Sequence, residues 1–268
     1  MPPQNTDLPA LAHRLLTSGP HRTLPVPGRR IRIQLNDTFI ADTTAALLVW
    51  EHPYYPFYYV PLTALREGCF RTLQRVAATM ARVLEVRVGE RATARVLAFD
   101  AAGTQGIAKP LHGMVRVEFA AADAWFVEDE QIHIHPKDPF KRVECVRSGR
   151  DVVVSLHNTV LARSSAGGAG AVHLYETGLP TRFYLPLTAV SEGVRLRPSE
   201  TVTSCPYKGD ANYYDVVVGD QTHKDLVWWY KCPTVECAAV AGLVCFYNEK
   251  VDIEVGGVRL ERPVTPFS

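Results

Sequence analysis

Apolar and polar residues alternate with a period of two along most of the chain. The alternation is clear from Ile31 to Leu35, where Asn36-Asp37 then supplies a turn signal. It returns from Val152 to Leu156, followed by His157-Asn158. A period of two is typical of strands with one buried face, and paired turn residues between such runs are typical of hairpins. The pattern therefore predicts a mainly β protein.

Three short segments depart from this alternation and predict helices. The first follows Asp7, has leucines at helical spacing and stops at Ser18-Gly19-Pro20, which predicts an N-terminal helix. Two alanine-containing segments, Leu73 to Leu84 and Val235 to Ala241, predict one or two short helices within the β architecture. The stretch Arg22 to Arg29 contains two prolines and predicts an extended linker.

The chain consists of two related halves. Three strings of the first half return in the second, namely Trp50-Glu51 as Tyr175-Glu176, Tyr58 to Ala64 as Phe183 to Ala189, and Val86 to Phe99 as Val216 to Trp229. This spacing is that of a duplicated unit with small loop insertions. We therefore predict an N-terminal helix and linker in residues 1–28, a first repeat in residues 29–140 and a second in residues 141–268.

The amino-acid composition indicates which kinds of molecule the protein is expected to bind. The 268 residues are 47% hydrophobic and 21% charged, with a formal net charge of +1. Scattered basic residues argue against a nucleic-acid partner, and no apolar run approaches the roughly 20 residues that span a bilayer. Six irregularly spaced cysteines predict reduced thiols rather than a disulfide scaffold or zinc site. We expect a soluble cytoplasmic protein without cofactor or metal, with a small-molecule ligand. A homodimer stays open.

Several strings together resemble the DUF427 family. They are Val49-Trp50-Glu51, Tyr58 to Pro61, Asp123 to Phe126, His135 to Phe140, Cys205-Pro206-Tyr207-Lys208-Gly209 and Phe246-Tyr247. The resemblance covers nearly the whole chain after the leading helix and linker. It implies two tandem units of the Mss4-like, or β-tent, type, similar to two-copy fungal members. The family has no settled activity, so the resemblance implies the fold rather than the function.

The segment Cys205 to Gly209, here called the CPYKG segment, belongs to the second repeat alone. The first repeat has Arg75 to Thr79 at this place, although family members usually carry the segment in each unit. It brings a thiol, a phenol and an ammonium next to a glycine that permits a tight turn. Partial burial of Lys208 would lower its pKa and make it a general base, and a nearby cation would activate Tyr207 or the Cys205 thiol. The alternative is that these residues pack and Lys208 extends to solvent.

Glu51 is a second candidate for acid–base chemistry. It follows Trp50, and a carboxyl group beside an indole can be desolvated and have a raised pKa. Because the glutamate returns as Glu176, a structural hydrogen bond is an equal alternative. His133 and His135 alternate as in a two-histidine metal site. No third ligand follows from the spacing, so the sequence favours a histidine bonded to backbone.

Aromatic residues of the second half predict a substrate pocket, with core packing as the alternative. By alternation, Trp228 and Tyr230 share one face of a strand and Trp229 faces the other way. The candidate substrate-binding residues are Trp50, Tyr213, Tyr214, Trp229 and Tyr247.

Motifs for dinucleotides, P-loop phosphates and GxSxG hydrolases are lacking from the sequence. We therefore expect a cofactor-independent enzyme that performs elimination, isomerisation, cyclisation or hydrolysis on a small, largely apolar metabolite in the second repeat. The candidate catalytic residues are Lys208, Tyr207, Cys205 and, across the repeat interface, Glu51. The alternative, from another class, is a non-catalytic module that binds a small molecule or a peptide.

Overall fold

The computed structural model describes residues 7–100, 106–165 and 170–265. The chain divides into two units, Met1–Asp138 and Pro139–Ser268. Each unit contains a seven-stranded and a four-stranded sheet.

The described part of the first unit begins with helix α1 (Leu8–Thr17). Its strands are β1 (Arg22–Pro25), β2 (Ile31–Leu35), β3 (Thr38–Thr43), β4 (Leu47–Trp50), β5 (Phe57–Pro61), β6 (Phe70–Arg75), β7 (Ala81–Val88), β8 (Arg91–Phe99), β9 (Met114–Val117), β10 (Ala124–Val127) and β11 (Glu130–Ile132). Short 3-10 helices span Leu62–Ala64, Gly106–Leu111 and Phe119–Ala121.

The second unit follows the same plan. Its strands are β12 (Val143–Ser148), β13 (Val152–Leu156), β14 (Thr159–Ser164), β15 (Ala171–Glu176), β16 (Arg182–Leu185), β17 (Val194–Cys205), β18 (Gly209–Val218), β19 (Gln221–Tyr230), β20 (Val244–Phe246), β21 (Asp252–Val255) and β22 (Val258–Arg259). Its 3-10 helices span Leu187–Ala189 and Val235–Val240.

The strand order confirms the internal duplication. The larger sheets have the orders β1-β4-β5-β9-β8-β7-β6 and β12-β15-β16-β20-β19-β18-β17, and the smaller ones β3-β2-β10-β11 and β14-β13-β21-β22. Neighbouring strands pair antiparallel. Strand for strand, one unit therefore maps onto the other, and the predicted mainly β class is confirmed.

The alternating pattern forms hairpins at the predicted places. In β2, Ile31, Ile33 and Leu35 are at most 1% exposed. Asn36 and Asp37 then have positive φ angles of 47° and 55°. Two consecutive positive φ angles match the right-handed twist of the flanking strands, which is why short polar residues occupy this turn. His157-Asn158 forms the same turn between β13 and β14.

The main core of each unit lies between its two sheets. In the first unit, Ile33 of the smaller sheet packs in one cluster with Leu84 and Val96 of the larger sheet. In the second unit, Val154 and Val227 belong to the corresponding cluster. Removal of these apolar side chains from water is the main source of stability for such a two-layer unit.

The outer face of the larger sheet differs between the units. In the first unit, helix α1 packs its leucines, among them Leu11 and Leu15, on this face. The described part of the second unit contains no α-helix. There the same face carries larger aromatic side chains, including Tyr213, Trp228 and Tyr230, and the 3-10 helix Val235–Val240 packs on it through Cys237 and Val240.

Three sequence-based expectations about elements meet different outcomes. The predicted helix over Leu73 to Leu84 is wrong, because β6 and β7 form a hairpin there with a turn at Ala78, whose φ is 54°. Burial and strand pairing override the helix propensity of the alanines. The predicted helix at Val235 exists as a 3-10 helix. Within the predicted linker, β1 pairs with β4 as an edge strand, where a proline is tolerated.

Candidate functional site

The CPYKG segment is the tight turn between β17 and β18. Cys205 pairs with Gly209, so Pro206, Tyr207 and Lys208 form the connection. Gly209 has a φ of 94°, and a Cβ added there would lie 3.2 Å from a backbone oxygen. Thr234 fastens the turn from outside, since its hydroxyl donates to the Tyr207 carbonyl at 2.6 Å and its amide to the Lys208 carbonyl at 3.1 Å. The glycine is therefore required by local geometry.

Lys208 forms a buried ion pair with Glu176. Its Nζ donates to Glu176 Oε2, and the side chains are 14% and 7% exposed. Burial acts to lower the pKa of Lys208, but Cys205 and the Glu176 carboxylate outweigh it, and the pKa is raised above its ordinary value. The expectation of a lowered pKa is therefore wrong. With a raised pKa, Lys208 is a cation at neutral pH and donates a hydrogen bond to Glu176.

Glu51 forms the corresponding pair in the first unit. Its Oε1 accepts from Arg116 Nε at 2.6 Å and from the Tyr59 hydroxyl at 3.1 Å. Glu51 is 4% and Arg116 2% exposed. An arginine stays charged at any ordinary pH, which gives this glutamate a permanent counter-ion. Each unit therefore buries a glutamate at the equivalent position and neutralises it with one cation. In the first unit the cation is Arg116 of β9, and in the second it is Lys208 of the CPYKG turn.

The Trp50 and histidine candidates lie in the first unit. Trp50 is 4% exposed and its Nε1 donates to Asp138 Oδ2 at 3.0 Å. His135 stacks on Tyr55 with the ring centroids 4.1 Å apart, and its Nδ1 lies 2.7 Å from the Pro136 carbonyl oxygen. Among residues 7–100, 106–165 and 170–265, no three His, Cys, Asp or Glu side chains are placed to hold a metal ion.

The cysteines are free thiols. Burial raises the pKa of Cys237 and of Cys245 to about 12 each, and it also raises the pKa of Cys145. Because the thiolate is the nucleophilic form, these three thiols are poor nucleophiles at neutral pH. Cys205 lies half-buried at the end of β17.

Three aromatic side chains meet on the outer face of the second unit's larger sheet, and we call Tyr213, Trp228 and Tyr247 the aromatic cluster. The rings of Tyr213 and Tyr247 stack at 6.4 Å, and Trp228 meets Tyr247 at 4.6 Å. The Tyr213 hydroxyl lies 2.8 Å from Thr203 Oγ1 and 3.4 Å from the Tyr247 hydroxyl. The cluster therefore combines flat apolar surface with a chain of hydroxyl groups.

The other predicted substrate-binding residues face elsewhere. Tyr214 and Trp229 stack at 5.7 Å and pack against the core between the sheets. Trp228 and Tyr230 belong to the cluster on the outer face, which confirms the predicted alternation along β19. Of the five predicted substrate-binding residues, the structure brings together only Tyr213 and Tyr247.

Arg182 supports the aromatic cluster, and the sequence analysis did not predict this role. It binds both carboxylate oxygens of Glu249, at 2.8 and 2.7 Å, and its guanidinium lies 5.4 Å from the Trp228 ring centroid. Burial acts to raise the pKa of Glu249, but hydrogen bonds from Arg182 and Thr265 lower it to about 2. A cation inside an apolar strand is a usable signal, because a buried charge needs a partner. The same signal marks Arg116 in β9.

Three surface pockets of the second unit lie away from the CPYKG segment. In the described part of this unit, these three pockets are lined by residues other than Lys208, Tyr207 and Cys205. The buried ion pair is therefore not the floor of any of these pockets.

Comparison with protein families agrees with this duplicated architecture. The family model described as a domain of unknown function (DUF427) matches residues 23–128 and 144–257. The chain belongs to the DUF427 family. It carries the family domain in tandem, and the first matched segment begins within β1. No curated protein matches the chain. None of the described helices is long and apolar enough to cross a membrane.

Proposed function

We propose that the second unit of this DUF427 protein is a non-catalytic module that binds a small molecule. The ligand has a flat, largely apolar body and a polar substituent, and it lies against the aromatic cluster on the outer face of the larger sheet. Aromatic side chains with polar tips are typical of such sites, because the ring contacts the ligand body while the hydroxyl orients it. The Mss4-like, or β-tent, relationship stays a prediction.

The proposal rests on two positions at which the second unit has an aromatic residue and the first unit has an aliphatic one. The register of β18 and β19 places Tyr213 and Trp228 where β7 and β8 have Val83 and Leu97. In the first unit, these aliphatic residues lie under helix α1. The second unit thus has polar aromatic groups on this face, with Tyr213 and Trp228 each 7% exposed, where the first unit has aliphatic residues under a helix.

The Lys208–Glu176 pair has a supporting role in this proposal. It lies at the turn that leads into β18, the strand that carries Tyr213. An ammonium with a raised pKa and a bound carboxylate holds its charge, which suits a fixed element of the fold. Proton transfer at neutral pH would instead need a lysine with a lowered pKa.

The test compares two variants that each copy the first unit. Tyr213→Val introduces the residue of β7 into the aromatic cluster, and Tyr214→Leu does the same on the opposite face of the strand, where β7 has Leu84. We measure binding of 2-naphthol by ligand-observed NMR and calorimetry. We expect the wild type and Tyr214→Leu to bind equally and Tyr213→Val to bind at least tenfold more weakly. Equal binding by both variants, or no binding by the wild type, contradicts the proposal.

The acid–base enzyme remains the second candidate, because Lys208 and Glu176 form a buried ion pair close to the Cys205 side chain. In that mechanism Lys208 donates a proton as a general acid or stabilises a developing negative charge. Flat aromatic metabolites are incubated with the wild type and with Lys208→Met, and the products are read by mass spectrometry. A change of mass that depends on Lys208 favours the enzyme, whereas unchanged recovery of a bound compound favours the binding module.

A further inference from the structure

Two cysteines of the second unit lie side by side on the outer face of its larger sheet. Cys145 belongs to the edge strand β12, and Cys237 belongs to the 3-10 helix Val235–Val240, which contacts this strand. Both side chains pack in the same apolar cluster. Their thiol groups form a side-chain hydrogen bond with each other. The two sulfur atoms are therefore neighbours, although their residues are far apart along the chain.

The first unit has no cysteine at either of the equivalent positions. Strand pairing makes Thr23 of β1 the equivalent of Cys145. Ala108 is the third residue of the 3-10 helix Gly106–Leu111, as Cys237 is of the 3-10 helix in the second unit. The thiol pair is therefore specific to the second unit, and the same fold accepts side chains without sulfur at both places.

The two thiols differ in exposure and therefore in how an oxidant reaches them. Cys145 is half-buried, whereas Cys237 is 0% exposed. Burial raises the pKa of both thiols, that of Cys237 to about 12, although the nearby Lys208 ammonium acts to lower both. For Cys145, the hydrogen bond with Cys237 also acts to lower the pKa. Cys145 is thus the thiol that meets an oxidant from solvent, and Cys237 is placed to react with it afterwards.

We propose that Cys145 and Cys237 are a site of reversible oxidation, at which hydrogen peroxide converts the thiol pair into a disulfide. The Cys145 thiolate attacks one peroxide oxygen, so that an S–O bond forms and the O–O bond breaks. The hydroxide that leaves takes up the thiol proton and becomes water. Cys237 then attacks the Cys145 sulfur, so that the S–S bond forms, the S–O bond breaks and a second water leaves. One peroxide and two thiols give one disulfide and two water molecules.

The disulfide fastens the 3-10 helix Val235–Val240 to strand β12. In the reduced protein, the Cys237 thiol donates to the Tyr207 carbonyl at 3.6 Å, and oxidation removes this donor. The Thr234 hydroxyl continues to donate to the same carbonyl at 2.6 Å, so the CPYKG turn keeps a hydrogen bond there. A covalent link between residues distant along the chain also restricts the unfolded state. We therefore expect the oxidised protein to unfold at a higher temperature than the reduced one.

The first experiment identifies the link in the full-length protein. The protein is oxidised with a small excess of hydrogen peroxide at about pH 8.5, where the thiolate is more abundant than at neutral pH. The remaining thiols are then blocked in denaturant, and fragmentation mass spectra of a protease digest assign the linked cysteines. We expect a link between Cys145 and Cys237 as the main product, and dithiothreitol to reverse it. A main product that joins either residue to Cys205 or Cys232, or no link at all, overturns the proposal.

The second experiment uses two substitutions that copy the first unit. Oxidation of the wild type is expected to raise the thermal midpoint by roughly 5–10 °C. Cys145→Thr and Cys237→Ala each remove one sulfur in favour of the side chain that the first unit has there, so they are expected to fold and to lose this rise. The matched control is Cys232→Ser, which removes an exposed thiol outside the pair and is expected to keep the rise.

The outcome of this comparison decides between the pair and any other thiol. A rise on oxidation that persists in folded Cys145→Thr or Cys237→Ala overturns the proposal, and so does its loss in Cys232→Ser. Tyr213→Val, which is expected to weaken 2-naphthol binding, keeps both thiols and is expected to form the disulfide as the wild type does. Failure of the proposed function is therefore distinguishable from failure of the oxidation site.

Discussion

Arg116 and Cys245 occupy the same position in the two units. Arg116 lies opposite Tyr59 in the strand register, and Cys245 lies opposite Tyr184. In the first unit this arginine neutralises the buried glutamate, whereas in the second unit Lys208 does so from the turn. A buried carboxylate without a counter-ion costs free energy. The lysine in the CPYKG turn of the second unit therefore compensates for the cysteine that stands in β20 in place of the arginine.

Removal of either cation is expected to destabilise its own unit. Lys208→Met leaves Glu176 buried and uncompensated, which costs about 3–5 kcal/mol. Hydrogen exchange resolved by unit measures the loss, which we expect in residues 139–268. Arg116→Met has the corresponding effect in the first unit through Glu51.

Controls separate charge from bulk in this comparison. Lys231→Met removes an exposed lysine of the same unit and is expected to be nearly neutral. The double variant Lys208→Met/Glu176→Gln recovers part of the lost stability, since it removes both charges. A Lys208→Met protein as stable as the wild type would show that the pair contributes nothing to the fold.

Lys208 is expected to titrate above its ordinary pKa of 10.5, because Glu176 and Cys205 outweigh the effect of burial. A group whose pKa is raised by folding stabilises the protein fully below the unfolded-state pKa. That contribution is lost as the pH rises through the folded-state pKa. NMR of the lysine side chain between pH 8 and roughly pH 12 measures the midpoint. A midpoint near neutral pH would instead support Lys208 as a general base.

Glu249 is expected to make the second unit sensitive to acid. Its pKa of about 2 lies below the ordinary 4.5 because Arg182 and Thr265 outweigh burial. The stabilisation is present above the unfolded-state pKa and is lost as the pH falls through about 2, a contribution on the order of 3 kcal/mol. Chemical denaturation at several pH values tests this, with Glu249→Gln as the variant that lacks this part of the pH dependence. Identical pH profiles would count against the assignment.

Gly209→Ala is expected to disturb the CPYKG turn more than a positive φ alone explains. Gly178 has a φ of 80° with open space around it, so Gly178→Ala measures the backbone strain, about 1 kcal/mol. At Gly209 the added Cβ also meets the Cys232 carbonyl. We expect the loss in thermal stability for Gly209→Ala to be about twice that of Gly178→Ala. Equal losses would mean that the turn moves freely away from Cys232.

Hairpins and the duplication follow from local patterns, so they can be predicted from the sequence. Strand alternation at Ile31 and the turn at Asn36-Asp37 need only neighbouring residues to be recognised. The helix predicted over Leu73 to Leu84 failed because its alanines lie in a hairpin whose strands pair and bury residues such as Ala81 and Leu84. Comparison of the two repeats indicates the hairpin, because the segment of the second unit that is equivalent to Leu73–Leu84 contains the CPYKG turn.

Site residues were harder to predict, because their partners are distant along the chain. Lys208 and Glu176 are 32 residues apart, and Arg116 and Glu51 are 65 apart. A short motif identifies a chemical group, but the pKa of that group depends on which charge lies beside it after folding. This is why the direction of the Lys208 shift was predicted incorrectly from burial alone.

The sequence by itself determined the β class, the tandem repeat, the places of the hairpins and the family, because each of these depends on periodicity or on short strings. Only the tertiary structure decided which cation neutralises each buried glutamate and which face each aromatic ring occupies. The physical reason is that charge pairing and cavity volume arise from side chains on different strands, whose proximity is set by the packing of the whole unit.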